Sequence, residues 1–133
     1  MNEIIVKPLE RVGSVYFGMN REEVRNILGD YKEFKKSKFS KNTADDFETC
    51  HVFYDLDNNC EAIELFSNIN IKIDEDTILP TKFNEIFKLL EKIDEKLEIE
   101  EDGCTSIKYS IGVYAPNKKV ESVLFGKEGY YKF

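Results

Sequence analysis

The sequence contains no tryptophan, one histidine and three prolines in 133 residues. A lone histidine, His51, excludes metal centres built from several imidazoles. Cys50, Cys60 and Cys104 are odd in number and include no CxxC pair, which excludes a fully paired disulfide framework; reduced packing thiols are expected. No apolar run approaches the ~20 residues needed for a membrane-spanning helix. GxGxxG, Walker-type, HExxH and GxSxG motifs are absent, as is calcium-loop spacing in the acidic clusters, so the reading is of a non-enzyme without metal or cofactor.

His51 adjoins Cys50, but neighbouring strand residues point to opposite faces and cannot form a thiol–imidazole dyad. Cys104, across the sheet, is the remaining thiol partner to consider. What the chain does contain is a 41% hydrophobic fraction with ten Phe and seven Tyr, enough for one core and one domain spanning 1–133. Acidic residues outnumber basic ones 26 to 19, and the net charge of -7 repels a phosphate backbone; the expected partner is a basic protein and not a nucleic acid. Met1–Lys7 carries neither a basic stretch nor a long apolar segment, from which a cytoplasmic location and no membrane association are expected.

A strand is expected around Ile4–Val6, followed by Val12–Phe17. Asn20 then caps a helix in which Val24, Ile27 and Leu28 form the apolar stripe, Glu23 reaches back to the cap, and Gly29 ends it. Tyr31–Phe39 reads as an exposed, imperfect strand and Ser40–Asp46 as a loop. The two apolar runs between Phe47 and Phe66 flank Asp57-Asn58-Asn59, a hairpin signal. A turn there pairs Val52 with Ile63 and Cys50 with Leu65, leaving His51, Phe53, Asp55, Cys60, Ala62 and Glu64 on the other face.

Ile69–Ile73 reads as an edge strand or linker. Pro80-Thr81 opens a longer helix with Phe83, Ile86, Leu90, Ile93 and Leu97 at helical spacing. Strands at Thr105–Tyr114 and Val120–Phe125 flank a turn at Ala115–Lys119, and Tyr130–Phe133 is a candidate closing strand. Shifting the chain by 60 residues lays His51–Phe66 on Ile111–Gly126 without a gap. The expected fold is therefore α+β: tandem helix–hairpin units, about 12–66 and 77–126, forming one curved antiparallel sheet with the helices on one face.

Gly13-Ser14-Val15-Tyr16-Phe17-Gly18-Met19 through Glu23-Val24 to Leu28-Gly29 resembles the opening of the β-lactamase-inhibitor-protein-like superfamily, which includes the BamE (SmpA/OmlA)-like assembly lipoproteins. The resemblance implies a curved sheet with helices on one face and the other face open to a protein. The lipid-modified cysteine, signal peptide and disulfides of those relatives have no counterpart here, so the fold is carried over and the named partners are not. By type, a small acidic chain ending in a hairpin such as Ser110–Phe125 also resembles immunity proteins of bacterial polymorphic or contact-dependent toxin systems.

These readings converge on a non-enzymatic inhibitor that binds a basic toxin domain, with Phe53, Asp55, Glu64, Phe66 and Tyr109 as contacts. The alternatives are a BamE-like scaffold module and a small-molecule-binding α+β domain.

Overall fold

The computed structural model describes residues 3–66 and 69–131. Two sheets and two helices enclose one large core. The opening strand β1 (Glu3–Lys7) turns into the two-residue strands β2 (Arg11–Val12) and β3 (Val15–Tyr16), so the expected Val12–Phe17 run is a tiny hairpin broken at Gly13-Ser14. Helix α1 (Arg21–Leu28) follows, with the Asn20 side chain accepting the Glu22 N–H at 2.9 Å and Gly29 capping at a φ of 89°. No return bond from Glu23 occurs among the described residues; Asn20 caps alone.

Four strands come next, β4 (Lys32–Phe34), β5 (Ala44–Asp46), β6 (Cys50–Tyr54) and β7 (Cys60–Phe66), joined as an antiparallel meander. The exposed strand expected over Tyr31–Phe39 is only three residues long, and the loop expected over Ser40–Asp46 ends in a strand. Asp45 explains that strand, because its carboxylate is needed beneath α1.

Strand β8 (Asn70–Ile73) lies parallel to β1 and pairs on its other side with β9 (Thr77–Ile78), giving a five-stranded sheet in the order β3-β2-β1-β8-β9. Ile69–Ile73 thus supplies an interior strand. Helix α2 (Phe83–Ile93) stops short of Leu97, and Asp94 ends it by accepting a 2.7 Å bond from the buried Ser106 hydroxyl. Then β10 (Glu98–Glu100), β11 (Gly103–Ser106), β12 (Ile111–Tyr114) and β13 (Ser122–Gly126) form a second antiparallel meander. The strand expected over Thr105–Tyr114 is two strands separated by a tight turn in which Ser110 has a φ of 52°. Tyr130 and Tyr131 lie in a turn, and the rest of the expected closing strand, Lys132 and Phe133, falls outside the described residues.

Strand β13 pairs with β7 and fuses the two meanders into one eight-stranded sheet, β10-β11-β12-β13-β7-β6-β5-β4. A single sheet was expected; the described strands make two, because β1 and β8 pair with each other and not with the meanders. The inner face of the large sheet carries Val52, Ile63, Leu65, Ile111, Val113, Val123 and Phe125. These pack with Val24 of α1, Ile86 and Leu90 of α2 and Val6, Val12 and Ile71 of the small sheet.

The anticipated pairs Val52 with Ile63 and Cys50 with Leu65 are both present. A bulge between Phe53 and Tyr54 then shifts the register and sets Cys60 opposite Tyr54, placing Cys60 in the core and not on the face of His51. The α1 stripe also differs from expectation: Ile27 is 46% exposed, whereas Arg21 is buried beside Val24.

Charge takes the place of apolar contact under α1. Asp45 is fully buried on the inner face, where it accepts bonds from Arg21 Nη2 (3.0 Å), Arg25 Nε (2.8 Å), Arg25 Nη2 (2.9 Å) and the Tyr54 hydroxyl (2.9 Å). The Arg21 guanidinium lies 4.3 Å from the Tyr54 ring centroid, and that of Arg25 3.8 Å from Tyr31. Burial alone would raise the Asp45 pKa, but the two arginines and Tyr54 outweigh it and hold the carboxyl below its usual 3.8. Stability from this group is therefore complete above about pH 4 and declines as the pH falls through the depressed native value. Removing the carboxylate takes away the fully buried acceptor that Arg21 and Arg25 share, leaving Arg21 its bonds to Asn42, Asn58 and Thr43 and Arg25 its bond to Glu33. Asp45→Ala should therefore lose about 3–5 kcal/mol in urea unfolding at pH 7. A loss below about 1 kcal/mol, the range of an exposed ion pair, would show that this cluster does not anchor α1.

Candidate functional site

The outer face of the large sheet, away from both helices, takes its pattern from strand alternation. Cross-strand register aligns Lys32, Asp46, His51, Glu64, Leu124, Gly112, Thr105 and Glu98 as one row, one residue from each strand. In the middle of it His51 stands between two carboxylates. Its Nε2 is 3.5 Å from Asp46 Oδ1, and its Nδ1 is 3.7 Å from Glu64 Oε1. The Ser122 hydroxyl donates to Glu64 Oε2 at 2.7 Å, so β13 fixes the carboxylate of β7. Phe34 and Phe66 flank the imidazole at centroid distances of 4.7 and 4.8 Å.

Beside this row, Phe53 packs with Ala44 and Ala62 into a second, smaller apolar cluster against which Phe34, Leu124 and Tyr130 are set. The Lys36 ammonium lies 4.7 Å from the Phe53 ring centroid. A hollow of about 330 Å³ opens here, lined by Lys36, Thr43, Ala44, Phe53, Tyr54 and Tyr130 among others. Burial raises the carboxyl pKa of neighbouring Glu61, an effect that Lys127 opposes.

The five expected contacts separate into three groups. Glu64 stands in the row next to His51, and Phe66, half-buried, sets its ring against the imidazole. Phe53 shares that face but is only 7% exposed, beneath Lys36 and Tyr130. Asp55 serves the hairpin turn, where its carboxylate accepts the Asp57 and Asn59 N–H groups at 2.9 and 3.0 Å and lies 4.0 Å from Lys127. Tyr109 packs against the main core, beside Ile73, Leu89 and Ile111, away from the other four. Sequence reasoning missed Phe34, Asp46 and Ser122 as neighbours of this site, since each arrives from a strand whose register was not readable. For Asp46 no cue was present, since Ala-Asp-Asp shows no apolar alternation.

The turn after β13 folds back over part of the outer face, and two glycines make room for it. A Cβ on Gly126 would lie 2.8 Å from both Cβ and Cγ of Tyr130, and one on Gly112 would meet the Tyr131 hydroxyl. Burial raises the phenol of Tyr130 to about 12. Gly126→Ala should lift Tyr130 from the Leu124–Ala62 cluster and cost about 1–3 kcal/mol in equilibrium unfolding. An unchanged midpoint would mean that the turn contributes nothing to the face.

The cysteines have no access to His51. Cys50, Cys60 and Cys104 all sit in the inner core, and burial pushes their thiols up to about 11, 12 and 11. Cys104, the thiol considered as a partner of His51, is on the opposite face of the sheet. At pH 7.5 the folded protein should therefore leave all three unlabelled by iodoacetamide until denaturant is added. Rapid native labelling of any one would refute this placement.

Among the described residues, no group of three or more His, Cys, Asp or Glu side chains is arranged to hold a metal, and no helix is long and apolar enough to cross a membrane. Fold and face together define an α+β protein with a large antiparallel sheet, one side of which is packed and the other patterned with aromatic and acidic groups. Compared with family models, with curated proteins and with solved structures, the chain matches none.

Proposed function

We propose that this chain is a non-enzymatic protein-binding inhibitor of immunity-protein type, which neutralises a basic toxin domain docked on the outer face of its large sheet. One observation carries the reading: half-buried Phe34, His51 and Phe66 form an aromatic centre with Asp46 and Glu64 beside it, on the face the helices leave free. Hot spots favour aromatic groups that a partner can fully desolvate, and carboxylates around them steer a basic surface into register. The net charge of -7 acts in the same direction at longer range.

The same reading takes the protein as a cytoplasmic single domain of two copied units. The shift of 60 residues that lays His51 on Ile111 also lays the β6–β7 hairpin on the β12–β13 hairpin. Each unit alone would leave an apolar sheet face and an open edge, which pairing β7 with β13 removes. A BamE-like scaffold is the remaining alternative from the resemblance at Gly13–Gly29.

The test is co-purification with the product of the adjacent gene, together with survival of cells expressing that product. Wild-type protein should copurify and protect. Glu64→Lys should lose protection by at least about tenfold while its unfolding midpoint stays near that of wild type. Healthy growth of toxin-bearing cells after deletion of this gene would reject the reading.

A further inference from the structure

We propose that Asp46, His51 and Glu64, together with Phe34 and Phe66, form a receptor for a single guanidinium group, so that the partner is held by one arginine side chain; this rests on the protein-binding reading above. The imidazole keeps 26% of its side-chain surface, and Glu64 and Asp46 keep 25% and 37%. All three open on the same face because their strands align them in one row. The spacing of two guanidinium nitrogens is close to that between the imidazole nitrogens. A guanidinium laid over the exposed part of His51 therefore points N–H groups at the same two carboxylates that the ring already spans.

The acceptor capacity is present. Glu64 Oε2 is occupied by the Ser122 hydroxyl, which fixes the carboxylate and leaves Oε1 facing His51. On Asp46 the oxygen nearest His51, Oδ1, already accepts the Glu48 N–H at 2.8 Å, and Oδ2 has no hydrogen bond among the described residues. Among the described residues no Lys or Arg pairs with Asp46 or Glu64, and His51 is the basic side chain nearest to both, although Lys32 is the row neighbour of Asp46 and Lys36 lies on the same face. This face already attracts a cation, since the Lys36 ammonium rests over Phe53.

Arginine fits better than lysine for two reasons. Its planar group stacks on rings such as His51 and Phe66, and its fork can address two acceptors at once, whereas an ammonium is a compact, strongly hydrated point charge.

The single histidine provides the readout, because its imidazole ring protons give isolated NMR signals. Titration of the full chain with Nα-acetyl-arginine amide should move the His51 signals saturably in the millimolar range. The neutral isostere Nα-acetyl-citrulline amide should bind at least about tenfold more weakly, since charge-assisted bonds are lost. The isosteric double variant Asp46→Asn/Glu64→Gln should remove saturation, and Phe66→Ala should weaken it. No saturable shift in wild-type protein up to tens of millimolar, or equal shifts with citrulline, would overturn the receptor. The two readings fail separately. If the double variant still copurifies with the adjacent gene product at full strength, the receptor is overturned and the docking reading stands. If the arginine probe binds as expected but no protein is captured, the receptor stands and the inhibitor reading falls.

Discussion

The antiparallel pairing of β7 with β13 is the contact on which the large sheet depends. It joins Ile63 to Phe125 and Leu65 to Val123 on the inner face, at the middle of the core. Each meander would otherwise end in a strand of bare backbone donors and acceptors, one of them seven residues long. Their union buries both edges at once and leaves only the short, charged β4 and β10 at the margins. The same seam crosses the outer face, where Ser122 of β13 holds Glu64 of β7. Fold and candidate site therefore share a structural cause.

The two helices dock on this sheet by different physics. Helix α2 buries Ile86 and Leu90 and needs little more than area. Helix α1 is eight residues long and has Val24 as its only fully buried apolar side chain, so much of its attachment passes through Arg21 and Arg25 to Asp45. A buried carboxylate is costly to desolvate and tolerable only when several donors converge on it, which here requires α1, β5 and Tyr54 of β6 to be in place together. That requirement gives the first meander a definite geometry, and Asp46, the next residue on β5, is thereby set beside His51 on the other face.

Legibility in the sequence followed the range of the interactions. The Asn20 cap, the Gly29 stop, the β6–β7 hairpin and the pairing of Val52 with Ile63 could be read because each is decided within a few residues. Misplaced features had causes that period and turn chemistry do not show. Asp45 looked like part of a solvated acidic loop because its arginine partners lie 24 and 20 residues away. Strand β10 escaped notice because a strand exposed at every position has no apolar alternation to betray it. Cys60 was set on the wrong face by a single bulge, since one extra residue inverts the alternation that assigns sides.

By itself the sequence determined an acidic α+β chain, its two helices and the β6–β7 hairpin with the Val52–Ile63 register, since period and turn chemistry act locally; it left open which face of that hairpin the helices cover, because both faces carry apolar residues. Tertiary structure decided that β1 and β8 pair in a separate sheet and that β7 meets β13. It also brought Phe34 and Asp46 to His51 and Ser122 to Glu64, while setting Tyr109 against the core on the other side. Strand partners distant in the chain are chosen by the joint burial of edges and apolar faces, a property of the whole chain that no short segment encodes.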